Sequence, residues 1–313
     1  MSGITLLGLG PGDPDQLTRE AWELLYSADE IYLRTRQHPT VIGLPNSVKI
    51  HSFDELYENG DSFDEVYAAI TQKILELGRR EKGVIYAVPG HPFVAETTCL
   101  EIARLARLEG LSVRIVDGLS FLEPTFSALS LDPYPRLTLY DALALGGAHV
   151  PAFAPDAPVL IAQIYSRLVA SEVKSTLTAI YPDEHPVKLI HNAGTKGQLV
   201  EELALYEIDR SEHIGLLTAL YVPSLGEGTS LEAFQEIVAH LRAPNGCPWD
   251  REQTHETLRK HLLEESYEAI GAIDSGNFAA MREEFGDLLL QIMLNSRFTG
   301  AGFVSRKSAR NRG

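Results

Sequence analysis

Three short apolar segments in the first 120 residues each lead into a glycine turn, and this pattern strongly constrains the fold. The segments are residues 4–9, 84–88 and 112–116. Predicted helices follow the first turn at about 18–26 and the second turn at about 95–108, and a further amphipathic helix is predicted at 62–79. Strand, glycine turn and helix in succession predict an α/β unit with a parallel sheet.

Ligands of parallel sheets bind beyond the carboxyl ends of the strands, where glycine lets backbone approach them closely. Three such turns on successive units predict a shared pocket floor, although each turn alone is also ordinary turn chemistry. The turn residues predicted to contact a ligand are Gly8, Gly10, Pro11, Gly12, Asp13, Pro89, Gly90, His91, Pro92, Gly118 and Ser120.

The strand pattern continues to residue 222 and then stops. A second α/β subdomain is predicted after a hinge that follows residue 137, whereas residues 38–61 are predicted to be irregular. Residues 223–229 (PSLGEGT) have the composition of a linker. We therefore predict a domain at 1–222, a linker at 223–229, an all-helical domain at 230–296 and a disordered basic tail at 297–313.

Five carboxylates lie at helical spacings in the predicted helical domain. Glu264, Glu265 and Glu268 form one run, and Glu284 and Asp287 form another. Residues three or four apart share a helix face, so two helices can direct all five acids at one point. Like charges that close repel, and Mg²⁺, which prefers oxygen ligands, would offset them. The alternative is two solvated acidic faces, but apolar residues interleave with both runs.

The totals exclude several classes of protein. A formal net charge of −16 argues against a dedicated nucleic-acid binder. Two cysteines are too few for a disulfide framework and indicate a reducing cytoplasm. We find neither a signal peptide at the start nor an apolar stretch of about 20 residues that could span a membrane.

Residues 1–222 resemble the tetrapyrrole (corrin/porphyrin) methylases. The resemblance lies in LLGLGPGDPDQLT (6–18), YAVPGHPF (86–93) and DGLSFLEPTFSAL (117–129). It implies a two-subdomain α/β fold that binds S-adenosylmethionine in the cleft between its halves, with the turn residues named above as cofactor contacts. The family usually has an acid where His91 stands, so the resemblance supports cofactor binding better than any particular methyl acceptor. A dinucleotide-binding fingerprint is disfavoured because Asp13 occupies the place of its third glycine.

Residues 230–296 resemble the MazG-type nucleoside triphosphate pyrophosphohydrolases, through residues 241–273 and REEFGDLLLQ (282–291). A methylase-like half followed by a MazG-type half resembles the YabN-type fusion proteins. The resemblance implies a helical bundle, usually a homodimer, that holds Mg²⁺ on the five acids. It also implies hydrolysis of nucleoside triphosphates to a monophosphate and pyrophosphate, beside a methyltransferase-like domain of unknown acceptor.

Two further residues are candidates for substrate binding. Lys260 either contacts phosphate or is a solvated helix lysine, and Trp249 either stacks on a base or packs in a core or dimer interface. The family pattern normally continues as helix beyond Asp287, so we expect an incomplete bundle that exposes Leu288, Leu289, Ile292 and Met293. An alternative function is therefore a regulatory protein, or a methyltransferase alone, with a vestigial helical half that oligomerises.

Overall fold

A computed structural model of the chain describes residues 3–60 and 62–298. The chain forms two compact units: one takes in the residues up to 152 together with 158–223, and the other takes in 153–157 and the residues from 224 onward. Within the described ranges, no helix combines the length and the apolar run needed to cross a membrane.

The first unit contains two five-stranded sheets. The first sheet is entirely parallel, with the order β3-β2-β4-β1-β5. Its strands are β1 (Gly3–Gly8), β2 (Glu30–Leu33), β3 (Lys49–Ser52), β4 (Val84–Val88) and β5 (Ser112–Val116). β1 and β4 are central and carry the most apolar sequences, as strands buried on both faces require.

The second sheet is mixed, with the order β6-β7-β10-β8-β9. β6 and β7 pair in parallel, whereas β10 runs antiparallel to β7 and β8. Its strands are β6 (Thr138–Asp141), β7 (Val159–Ala162), β8 (Pro186–His191), β9 (Leu199–Ala204) and β10 (Thr218–Val222). Together the two sheets confirm the predicted α/β fold of two subdomains.

Helices of the first unit connect and cover these strands. They are α1 (Arg19–Ser27), α2 (Asp54–Asn59), α3 (Phe63–Gly78), α4 (Thr97–Leu108), α5 (Leu122–Leu129), α6 (Ala142–Gly146) and α7 (Arg167–Leu177). Thr18 and Ser62 begin α1 and α3 by accepting backbone N–H bonds, as their side chains favour at helix starts. α3 and α4 bury Ile70, Ile74 and Ile102 against the first sheet.

The prediction that residues 38–61 are irregular is wrong. They contain β3 and α2, besides a 3₁₀ turn at Pro39–Gly43. β3 lies at the edge of its sheet and its side chains are half-exposed or exposed, so it lacks the apolar alternation that marks a strand in sequence.

The second unit is helical throughout its described part. It contains α8 (Leu231–Leu241), α9 (Pro248–Glu252), α10 (His255–Ser275) and α11 (Phe278–Phe298). Gly276, with a φ of +65°, ends α10 and lets α11 turn back along it. A small core joins Val238, Leu258, Met293 and Leu294. Residues 297–298 belong to α11, and the rest of the predicted basic tail lies outside the described residues.

Candidate functional sites

The three glycine turns of the first sheet meet at its carboxyl edge. Gly10 and Gly90 exchange two backbone hydrogen bonds, of 3.2 and 2.8 Å. A Cβ atom on Gly8 would lie 2.6 Å from the Gly90 carbonyl oxygen, and one on Gly118 would lie 2.5 Å from the same oxygen. Contacts this short exclude any side chain, so the turns pack backbone against backbone.

Side chains of the second and third turns tie them together. The His91 Nδ1 accepts a bond from the Phe93 N–H at 3.0 Å, and its Nε2 lies 3.3 Å from a carboxylate oxygen of Asp117. Ser120 donates both its N–H and its hydroxyl to Glu123, at 2.8 and 2.7 Å. In the first turn, Asp13 accepts from the Asp15 N–H at 3.0 Å.

A cavity of about 610 Å³ opens beside these turns within the first unit. Of the predicted contact residues, Pro11, Pro89, Gly90, His91 and Ser120 line it. The other six form or support the turns behind the lining: Gly8, Gly10, Gly12, Asp13, Pro92 and Gly118. The rest of the wall is mainly apolar and includes residues of the second sheet, as small-molecule sites commonly do.

An ion pair between Arg34, which lines the cavity, and the buried Glu96 escaped the sequence analysis. The Arg34 guanidinium contacts the carboxylate of Glu96, whose side chain is 2% exposed. Arg34 also donates to the Tyr57 hydroxyl at 2.9 Å and to the Tyr67 hydroxyl at 3.3 Å. Burial lowers the pKa of Arg34, but the charge of Glu96 and the phenols outweigh burial and raise it overall, so the guanidinium stays charged. The sequence feature that could have indicated Arg34 is its position directly after a strand of a parallel sheet, where ligands bind.

The second candidate site lies between α10 and α11. Carboxylate oxygens of Glu265, Glu268 and Glu284 all lie within 4.8 Å of one another. The pKa of Glu265 is raised by burial and then by the charges of Asp287, Glu268 and Glu284. The pKa of Glu284 is raised by burial and by Glu268, Glu283 and Asp287. The helix hairpin therefore concentrates negative charge, and its oxygen donors suit a hard divalent cation.

Glu264 is oriented differently from the other predicted ligands. Its carboxylate lies 3.2 Å from the Lys260 Nζ and 3.3 Å from the His261 Nδ1. Lys260 is 77% exposed, and Trp249 is half exposed with its ring edge-on to His261. The structure thus joins three of the five acids, places Asp287 within electrostatic reach of two of them, and pairs Glu264 with bases.

The helical unit exposes an apolar surface on both long helices. On α10 the exposed apolar side chains are Leu263, Tyr267, Ile270 and Ile273, and on α11 they include Phe278, Phe285 and Ile292. The expected exposure of Met293 is wrong: this side chain is 1% exposed, because it packs in the core with Val238 and Leu258. Leu288 and Leu289 are half-buried, so only Ile292 of that predicted group is exposed.

Comparison with known protein families agrees with this architecture. A family model for tetrapyrrole (corrin/porphyrin) methylases matches residues 3–209. The chain belongs to this family. In this methylase-family chain, residues 253–306 match the model of the MazG nucleotide pyrophosphohydrolase domain, which takes in the acid-bearing hairpin. Both domains therefore belong to enzyme families.

Two relatives match the methylase-family chain along different lengths. YabN of Bacillus subtilis is 40% identical over 299 residues, which are 94% of this chain and 60% of YabN. The nucleoside triphosphate pyrophosphohydrolase MazG of Thermotoga maritima is 49% identical over 70 residues, which are 22% of this chain and 28% of that protein. The chain therefore spans less than two thirds of either relative.

Solved structures share the fold of the first unit. The uroporphyrin-III-C-methyltransferase of Thermus thermophilus has a TM-score of 0.56 and 22% identity, and the match covers 71% of this chain and 94% of that one. Its complex with S-adenyl homocysteine has a TM-score of 0.51 and 19% identity, over 70% of this chain and 97% of that one.

Proposed function

We propose that the helical unit hydrolyses nucleoside triphosphates to a monophosphate and pyrophosphate with the help of Mg²⁺. The observation that supports this most is the convergence of three glutamate oxygens within 4.8 Å, on a segment that matches the MazG domain. Glu265, Glu268 and Glu284, with Asp287 beside them, would hold the ion. A bound Mg²⁺ supplies charge neutralisation of the triphosphate and a more acidic water.

The chain's own residues have two further roles in this proposal. An acid of the group that does not contact the ion would accept the proton of the attacking water. Glu264 stands apart, because its pairing with Lys260 and His261 turns its charge away from the cluster. We assign it a supporting role and no ligand position. Lys260 and Trp249 are exposed enough to reach a nucleotide, and we keep them as substrate contacts.

The decisive experiment measures pyrophosphate release from the four common nucleoside triphosphates with Mg²⁺. We expect Glu265→Gln and Asp287→Asn to lower the rate by more than about 100-fold, since even outer partners of metal ligands contribute about 10- to 100-fold. Glu264→Gln should lower the rate less than about tenfold, because Glu264 pairs with Lys260 and His261 outside the cluster. Asp274→Asn is the matched control, because Asp274 is an exposed acid on α10 outside the group. Wild-type inactivity, or equal rates in all variants, would refute the proposal.

We also propose that the cavity of the first unit binds S-adenosylmethionine, which there donates its methyl group to an acceptor. The meeting of three glycine turns at the cavity supports this, because the bare backbone of Gly90 and its neighbours can approach a ligand closely. Pro11, Pro89, Gly90, His91 and Ser120 would contact the cofactor. Calorimetric titration with S-adenosylhomocysteine tests the proposal, and the absence of binding would reject it.

Two proposals concern assembly and location. We propose that the helical unit forms a homodimer through the apolar surface defined above, since a patch of this kind commonly marks an interface. Light scattering should report a dimer for the wild type and a monomer for the double variant Tyr267→Lys and Ile270→Lys; an unchanged mass would exclude this surface.

The thiols of Cys99 and Cys247 are free, which supports a cytoplasmic location.

A further inference from the structure

The mouth of the cavity in the first unit carries apolar side chains. Phe63, Leu143, Tyr165 and Leu216 line the cavity, and each is between 38% and 69% exposed. They come from four parts of the chain: α3, α6, the segment after β7 and the segment before β10. Side chains that both line a cavity and meet solvent stand at its opening, so a ligand enters past this apolar rim. Exposed apolar side chains gathered in this way commonly mark a binding site.

The cationic group in the cavity wall already has its counter-charge. Among the described residues that line the cavity, the basic ones are Arg34, His38 and His91. The guanidinium of Arg34 is matched by the buried carboxylate of Glu96. A ligand therefore gains little by bringing a second negative charge to Arg34.

The two histidines leave no unmatched positive charge either. His38 is buried, and burial lowers its pKa to about 4, so the ring is uncharged at pH 7. Its Nδ1 atom has no hydrogen-bond partner among the described residues, whereas a charged ring needs an acceptor at both nitrogens. The His91 Nε2 lies 3.3 Å from a carboxylate oxygen of Asp117, so an acid faces any charge on that ring.

The acidic group of the wall tips this balance away from anions. Among the described lining residues the acid is Asp141, whose side chain accepts the N–H groups of Leu143 and Ala144 at the start of α6. An anion buried against an apolar wall without a cation to pair with is strongly disfavoured. The wall therefore suits a ligand that carries no negative charge.

We propose that the methyl acceptor of this cavity is an uncharged, largely apolar compound that enters past the apolar rim. The inference rests on the proposed methyl transfer, and it names the chemical class of the acceptor. In the reaction a lone pair of the acceptor forms the new bond to the methyl carbon, the methyl–sulfur bond breaks with its electrons left on sulfur, and the acceptor's proton passes to water. The charge of the sulfonium thus leaves as that proton, and a neutral acceptor gives a neutral product.

Two fluorescent probes that differ by one sulfonate test the charge preference of the cavity. N-Phenyl-1-naphthylamine is uncharged, and 8-anilinonaphthalene-1-sulfonate adds an anionic group to the same scaffold. Titration of the full chain, saturated with S-adenosylhomocysteine, should give the uncharged probe a Kd at least about tenfold lower than that of the sulfonate. Equal or tighter binding of the sulfonate overturns the inference, as does a wild type that binds neither probe.

A matched pair of variants shows whether the probes report on the cavity. Thr97 is exposed and lines the cavity, so Thr97→Lys adds a cation to its wall. We expect this variant to lower the Kd of the sulfonate about three- to tenfold and to leave that of the uncharged probe unchanged. Gln72→Lys adds the same charge at an exposed position of α3 outside the lining, and should change neither. After thermal unfolding has shown that both variants fold, equal effects of the two on the sulfonate, or no effect of either, overturn the inference.

Transfer of a tritium-labelled methyl group from S-adenosylmethionine tests the acceptor itself. A bacterial small-molecule extract is separated on an anion-exchange resin, and each fraction is incubated with the full chain. Label should appear in the unretained fraction and pass from it into an organic solvent. Label confined to the retained fraction overturns the inference. If neither fraction takes up label although the chain binds S-adenosylhomocysteine, the proposed methyl transfer is refuted instead.

Discussion

The burial of His38 predicts a specific dependence of stability on pH. Burial lowers the pKa of His38 from 6.5 to about 4, and interaction with the Pro11 backbone offsets only part of this effect. The folded imidazole thus binds protons more weakly than the unfolded one. Its contribution to the free energy of unfolding is fully present above pH 6.5 and is lost as pH falls towards 4. The full loss is about 3 kcal/mol, and about 2 kcal/mol is lost by pH 5.

Comparison with a variant isolates this contribution from those of other titrating groups. His38→Gln cannot take up the proton, so its free energy of unfolding should fall by about 2 kcal/mol less than that of the wild type between pH 7 and pH 5. The chain has two tryptophans, and Trp22 packs against the core of the first unit. Urea unfolding followed by Trp22 fluorescence in a Trp249→Phe background therefore reports on this unit.

The result that would refute the reasoning is an equal loss of stability in the wild type and His38→Gln. It would mean that the folded imidazole titrates near its ordinary pKa, and hence that water reaches the ring. The Cε1–H resonance of His38 gives an independent check, because its NMR titration midpoint should lie near pH 4 and not near 6.5.

Three further predictions concern other parts of the molecule. Glu96→Gln leaves the largely buried guanidinium of Arg34 without its counter-charge, and urea unfolding should show a loss of about 3 kcal/mol; an unchanged midpoint would contradict the ion pair. Gly118→Ala should abolish binding of S-adenosylhomocysteine in calorimetry because its Cβ cannot fit, whereas Gly215→Ala, in open space, should bind normally. The pKa of Glu284 is raised in the folded state, so its carboxyl group stabilises that state below pH 4.5, and this stabilisation is lost as pH rises. At pH 7, Glu284→Gln should therefore raise the thermal midpoint of the helical unit without metal and reduce its response to Mg²⁺. A midpoint and a response equal to those of the wild type would exclude the repulsion.

Local sequence predicted the central strand of the first sheet and a covering helix well. The expected strand at 84–88 coincides with β4, and the expected helix at 62–79 differs from α3 by one residue at each end. An apolar run or an apolar stripe with a capping serine carries the information for such elements within itself.

Two of the edge strands, β3 and β9, were harder to predict. β9 (LVEELA) carries two consecutive glutamates and has no apolar alternation, and it forms a strand by pairing with β8 across six residues. The hydrogen bonds that stabilise an edge strand come from its neighbour, and they leave little trace in the composition of the strand itself.

The residues of the candidate sites likewise divide into those that local sequence predicted and those that only the packing revealed. The glycine turns and the acidic runs are local motifs, so their residues could be named from the sequence. The pairing of Arg34 with Glu96 joins residues 62 positions apart, and the unpartnered nitrogen of His38 exists only because the segment after β2 folds onto the first glycine turn. Such contacts depend on how elements pack, which residue spacing does not encode.

By itself, the sequence determined which chemistry this chain carries: glycine turns at strand ends, and five acids at helical spacing on one hairpin. Tertiary structure alone decided which groups meet. It brings Gly8, Gly90 and Gly118 into backbone contact and gathers three glutamates, while Glu264 turns towards Lys260 and His261. The physical reason is that helical periodicity sets only which face of the helix a side chain leaves from. The rotamer that the side chain then adopts is set by neighbouring charges and by the packing of the facing helix.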